Sequence, residues 1–170
     1  MSKEIMDRRA ADNPYLHKDF HGALSSGIDY VADRFGERAV RDYLYQFADV
    51  YYAPLKEQMK RRGLVALKEH IENTYKTEGG RVAIDFSETE MTVRVAACPA
   101  VMHMREKGYK VSPHFVETTG TVNKAICEGT GYAAELVEYD EETGRSIQRF
   151  TKIKKPQRKA ENAEGERKIS

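Results

Sequence analysis

At Gly79-Gly80 the apolar residues stop recurring every three or four positions and begin to alternate, which divides the chain into a helical half and a half that contains strands. Upstream, Phe20, Leu24, Ile28, Val31 and Phe35 form one apolar stripe on a helix that opens at Asn13-Pro14 and closes at Gly36. A second helix begins near Glu37 and carries Val40, Leu44, Phe47, Val50 and Tyr51 on its inner side. Pro54 is expected to kink or interrupt it before Leu55 and Met59, because proline lacks the N–H that a helix interior needs. Cations followed by glycine in Lys60-Arg61-Arg62-Gly63 read as a helix stop, although three charges also fit a nucleic-acid patch. A third helix runs from Leu64 through Leu67 and Ile71 to Tyr75.

Past the double glycine, Val82, Ile84 and Phe86 alternate, Ser87 to Glu90 turn, and Met91, Val93 and Val95 alternate again, which describes an antiparallel hairpin. A helix follows from Cys98-Pro99 to Gly108. Another opens at Ser112-Pro113, runs through Phe115, Val122 and Ile126, and ends at Gly129. Tyr132 to Tyr139 and Ser146 to Ile153 then flank a glycine-bearing loop and close a second hairpin. The pattern predicts an α+β fold: an antiparallel sheet of two hairpins packed against the N-terminal helices and a central helix pair. Residues 1–13 read as a flexible N-terminus and 14–153 as a single domain. Residues 154–170 read as a disordered charged tail, since they hold almost no apolar side chain to bury.

Composition narrows the function classes. Lys plus Arg of 28 against Asp plus Glu of 27 gives a formal charge of +1, so no global field points to nucleic acid or to an anionic membrane. A small-molecule substrate or a protein partner fits better, and no cofactor is implied. Two cysteines far apart, with no signal-peptide core and no apolar run near about 18 residues, read as a reduced, soluble, cytoplasmic protein. The apolar stripe of the first helix also suits a homodimer through the N-terminal helices.

The sharpest chemical feature is Cys98, which the pattern places at a helix N-cap between a strand and Pro99. Free N–H groups and the dipole there favour a thiolate, so its pKa is expected to fall below the free value of about 8.5. The alternative is an inert small hydrophobe at a tight turn. His103, one turn along, either pairs with the thiol or packs between Met102 and Met104. His114, Glu117, Thr118 and Thr121 share one helix face, as a pocket wall carrying a general acid or base or as a solvated surface. Tyr45, within the cluster Tyr43, Tyr45, Tyr51 and Tyr52, hydrogen-bonds a ligand or packs at the core's rim. Arg149 shares strand parity with Ile147 and Ile153, so it either anchors a carboxylate or pairs with Glu135 or Glu138. No tight cysteine pair supports zinc, and His17 with His21 lacks an acidic companion, so no metal site is expected.

The segment from Val93 to Phe150, with Ala97-Cys98-Pro99, the spacing to Glu117 and the closing hairpin, resembles the L-2-amino-thiazoline-4-carboxylic acid hydrolase family. The similarity is one of layout and covers most of residues 14–153. It implies a small cytosolic α+β enzyme that opens a five-membered ring containing C=N to give an N-carbamoyl amino acid. On that pattern Cys98 attacks, Glu117 or His114 handles the proton, and Arg149, Tyr45 and Thr121 hold the substrate. The layout is also similar to the 4-vinyl reductase domain, a small-molecule-binding or sensor module. The chain departs from the hydrolase pattern at Phe115-Val116-Glu117, where a second cysteine is usual in that family.

Overall fold

The computed structural model describes residues 19–154. The helical half holds α1 (Asp19–Phe35), α2 (Glu37–Tyr51), α3 (Ala53–Arg62) and α4 (Leu64–Glu78). After it come β1 (Val82–Phe86), β2 (Glu90–Val95), α5 (Pro99–Glu106), a 3-10 turn (Pro113–Val116), α6 (Glu117–Cys127), β3 (Tyr132–Tyr139) and β4 (Ser146–Lys152). The fold is α+β, as the periodicity predicts. The expectations for residues 1–13, for the start of the first helix, and for the tail from 155 onward lie outside the described residues.

The expected second helix is two helices. Pro54 stands in the first turn of α3, where its missing N–H costs nothing. In an unbroken helix the ring would collide with the carbonyl of Val50. Only one stripe of α2 reaches the core: Val40, Leu44 and Ala48, each at most 1% exposed. Phe47, Val50 and Tyr51, expected on the inner side, are exposed instead. That helix carries more apolar residues than one face can bury, and the small side chain of Ala48 is the one that fits against its neighbour.

The sheet runs β1-β2-β4-β3, all antiparallel, so the hairpins β1–β2 and β3–β4 join through β2 and β4. Met91 lies opposite Phe150, Val93 opposite Gln148 and Val95 opposite Ser146, and all six side chains are buried. This register reverses the expected parity of β4. Its inner face is Ser146, Gln148 and Phe150, which turns Ile147 and Arg149 outward. Gln148 remains affordable inside because it accepts from Asn123 Nδ2 (2.8 Å) and donates to Ser146 Oγ (3.0 Å). Phe150 decides the choice, since burying a phenyl ring outweighs burying an isoleucine just past the strand's end.

Helix α6 packs between β3 and α2, while α1 lies along α2 and α5. Of the residues expected to pair α1 with a second copy, Ile28 is buried in this chain's own core, Leu24 and Val31 pack partly against it, and Phe20 is exposed. Ser25, fully buried on α1, donates to the Lys110 carbonyl (3.0 Å) and accepts from the Ser112 N–H (2.8 Å), which ties the helix to the approach of the 3-10 turn.

Cys127 closes α6 inside the core, and burial pushes its thiol up from 9.0 to about 12 against a small opposing pull from Lys56. Burial likewise pushes Tyr139 up to about 12. Both groups are neutral when protonated, so on raising the pH the unfolded chain releases these protons first. The stability present below pH 9 is therefore lost progressively as the pH rises towards 12. Thermal unfolding midpoints measured across that range are expected to fall, and Cys127→Ala to make the fall shallower.

Candidate functional site

The site is built around the junction of β2 and α5. Cys98 occupies the N-cap of α5 in extended conformation (φ −79°, ψ 121°), with Pro99 in the helix's first turn, as the sequence predicts. Its N–H donates to the Thr143 carbonyl (2.8 Å), so the β3–β4 loop closes behind it. That loop holds its shape through Asp140, whose carboxylate accepts from the Thr143 N–H (2.9 Å) and hydroxyl (2.6 Å). Arg105 of α5 reaches back to the carbonyls of Glu142 (2.8 Å) and Glu141 (3.0 Å). Gly144 makes the approach achievable: at φ +66°, a Cβ there would lie 2.5 Å from the Cys98 Cβ.

From the other side, α4 delivers Tyr75 and Glu78 to the same place. Gly80 lies against Pro99, where a Cβ would come within 2.5 Å of the proline ring and 2.8 Å of Tyr75. The double glycine that ends the helical half therefore also seats the end of α4 against the start of α5.

Between these elements and α1, α2 and α6 lies a groove of about 370 Å³, within the range of small-molecule sites. Cys98 and Pro99 form part of one wall, and His21, Tyr75 and Glu78 contribute polar atoms. The rest is mainly aromatic and aliphatic, and none of the described lining residues is lysine or arginine. Phe47 and Tyr51 stack with ring centroids 5.3 Å apart, and Tyr52 meets Tyr51 edge-on at 5.0 Å. His21 Nε2 stands 3.8 Å from Glu78 Oε1, and both side chains are less than one-fifth exposed.

The electrostatics overturn one expectation. Burial pushes the Cys98 thiol up, and the Glu78 carboxylate adds to the rise. The N–H groups of Val101 and Ala100 pull the other way and do not prevail. The helix terminus stabilises a thiolate here as the sequence argument supposed, but desolvation of the charged form is the larger effect. Burial also raises Tyr75 well above the usual phenol range, with further contributions from Cys98, Glu78 and Tyr139. Tyr52 is raised by burial, with Tyr51 and Glu78 adding to it.

The other sequence-predicted residues do not gather at this groove. Glu117 accepts from Arg41 Nη1 (3.3 Å) and the Thr121 hydroxyl (2.5 Å), so it clamps α6 to α2, with Thr121 buried beneath it. Thr118 and Thr119, from the same stretch, line the groove instead. His114 lies in the 3-10 turn, its N–H capped by Ser112 Oγ (3.1 Å). His103 sets its ring edge-on to Tyr109, centroids 6.4 Å apart. Tyr45 packs partly against the core, while Tyr43 and Tyr51 line the groove because the helical period turns position 45 away from them, and Tyr52, just past the end of α2, lines it too. Arg149 is on the outer face of the sheet, paired with Glu135 (3.4 Å) and Glu90 (3.9 Å). The pairing offered as its alternative partner set thus holds for Glu135, while Glu138 pairs with Arg145 (3.4 Å).

Sequence reasoning passed over Tyr75 and Glu78 and saw His21 only as half of a metal pair. Tyr75 and Glu78 lie three apart on α4, a spacing that puts them on one helix face, yet nothing local shows that the face meets Cys98. Among the described residues no three His, Cys, Asp or Glu side chains are placed to hold a metal ion, and His17 lies outside that range. No described helix is long and apolar enough to cross a membrane. In the basic run, Lys60 pairs with Glu57 and Arg62 with Glu69, each at 2.6 Å.

No protein-family model matches the chain, and no curated protein matches it significantly.

The closeness of Gly144 to Cys98 makes a test of how the site is built. Gly144→Ala adds strain at positive φ together with a backbone-level clash, and is expected to cost at least about 2 kcal/mol. Chemical denaturation measures the loss, and a changed rate of Cys98 alkylation in the folded variant reports the displaced sulfur.

Proposed function

We propose that the groove is the active site of a small hydrolase that opens a cyclic amidine or amide ring, with Cys98 as the nucleophile. The observation that carries this reading is the position of the sulfur: on the wall of a groove, at a helix N-terminus whose Ala100 and Val101 N–H groups favour its anionic form. A thiol of raised pKa reacts when it loses its proton in the same event as attack. For an amidinium, the sulfur–carbon bond forms while the C=N π pair withdraws onto the nitrogen that already carries the proton, and the thiol proton passes to His21, which returns it to the leaving ring nitrogen. The ring C–N bond then breaks, leaving a free amine and a thioimidate on Cys98. Water adds to that carbon, the carbon–sulfur bond breaks, and the thiol regains its proton.

Glu117 and His114 are replaced in this scheme by His21 and Glu78, which share the groove with the sulfur. A proton relay through imidazole suits the step because the ring can both accept and donate a proton. Thr121 and Tyr45 take no part, and Arg149 is committed to carboxylates on the far face of the sheet.

A second reading has support of its own. The aromatic lining and the raised thiol pKa also suit a binding or sensor module without turnover, of the 4-vinyl reductase type. Cys98→Ala and Cys98→Ser separate the two. Ring opening is assayed over a panel of cyclic amidines and hydantoins by loss of ring absorbance. In the hydrolase both variants are expected to lose at least about a hundredfold in kcat/KM. Turnover equal to that of the unmodified chain removes the nucleophile from the scheme. Ligand retained by both, with no turnover in either the variants or the parent, establishes the binding module.

A further inference from the structure

We infer that the groove selects flat cations, with Glu78 anchoring a protonated amidine or amine carried on an aromatic or similarly planar ring, and that it rejects carboxylates of the same shape. This rests on the reading of the groove as a ligand site and narrows its substrate class: of a cyclic amidine and a cyclic amide, it takes the amidine, a cation at neutral pH. It also departs from what the family resemblance implies, which is a substrate held by its carboxylate.

Three observations converge on it. Glu78 contributes a carboxylate to the groove, its side chain 17% exposed, and among the described residues no lysine or arginine lines the same space. Among the described residues its ion-pair partner is His21, 3.8 Å away. Histidine, unlike lysine or arginine, is not a permanent cation. A partly desolvated carboxylate without a fixed counter-charge attracts a cation far more strongly than it does in water and repels an anion to a similar degree.

The second observation is that the charge of Glu78 reaches across the site. It adds to the upward shift of Tyr52, Tyr75 and Cys98, groups at the α2–α3 junction, on α4 and at the start of α5.

The third is the lining itself. Phe47 and Tyr51 stack, Tyr52 stands edge-on to both, and all three line the groove. Their π faces attract cations and stack on flat rings, so the walls favour the same ligand as the carboxylate does. Arg149, the cation that a carboxylate ligand would need, lies on the outer face of the sheet between Glu135 and Glu90.

The test uses the full chain and three probes of nearly identical shape: benzamidine, a cation; benzamide, neutral; and benzoate, an anion. Dissociation constants are measured by calorimetry at pH 8, above the usual imidazole range of about 6.5. Benzamidine is expected to bind at least about tenfold tighter than either of the others. Glu78→Gln, a near-isosteric change at the end of α4, is expected to bring the three to within about threefold of one another. Cys98→Ala should leave the order unchanged, since the sulfur does not supply the charge. Benzoate binding as tightly as benzamidine, no benzamidine binding at millimolar concentration, or a cation preference that survives Glu78→Gln each overturns the inference. Its failure is distinct from failure of the hydrolase reading: ring opening that depends on Cys98 without cation preference removes this inference alone, and cation preference without such turnover removes the hydrolase alone.

Discussion

The antiparallel pairing of β2 with β4 is the contact on which the remainder of the structure depends. Each hairpin alone is a marginal two-stranded ribbon, and joining them makes a four-stranded sheet with one continuous apolar face. The pairing is non-local, closing a loop that contains α5, the 3-10 turn, α6 and β3, so its entropic cost has to be offset by burial of Met91, Val93, Val95 and Phe150. Because β2 leads directly into Cys98 and β4 follows directly from Gly144, the same register sets the sulfur against the loop behind it. The strand-to-helix junction is thus held by the sheet.

The groove follows from that arrangement and from a shortage of covering surface. Helix α2 buries Val40, Leu44 and Ala48 and leaves Tyr43, Phe47 and Tyr51 turned towards the space between α1, α4 and α5. Aromatic rings cannot close a gap of this shape to the density of a protein core, and what remains is a slot walled by ring faces. Into it project the two ionisable partners His21 and Glu78 and one thiol. Its described lining holds no lysine or arginine and much π surface, and the chemistry proposed for it has to be chemistry that tolerates a mostly protonated sulfur.

The local grammar of the chain was readable. The change of period at Gly79-Gly80, the proline-initiated helix after Cys98, the Ser112 cap and both hairpins all follow from propensities acting over a few residues, and each stands where the pattern places it. Pro54 announces its interruption in the same way. For Arg149 the sequence left a carboxylate anchor and a pairing with Glu135 or Glu138 both open, and the structure has the pairing with Glu135. Phe150 and the partnered Gln148 won the inner face, a competition between neighbours across the sheet. Glu117 looked like a pocket acid because its stripe is polar, and only the packing of α6 on α2 reveals Arg41 as its partner.

What this sequence determined by itself is therefore its set of elements, their order, and the placing of a cysteine at a helix start, since hydrophobic period, proline and glycine act through the backbone nearest to them. Tertiary structure alone decided the company that cysteine keeps. His21, Tyr75 and Glu78 reach it from α1 and α4, and the burial that raises its pKa is a property of the assembled groove. Desolvation and charge act through space, and the distances that govern them exist only once the chain has folded.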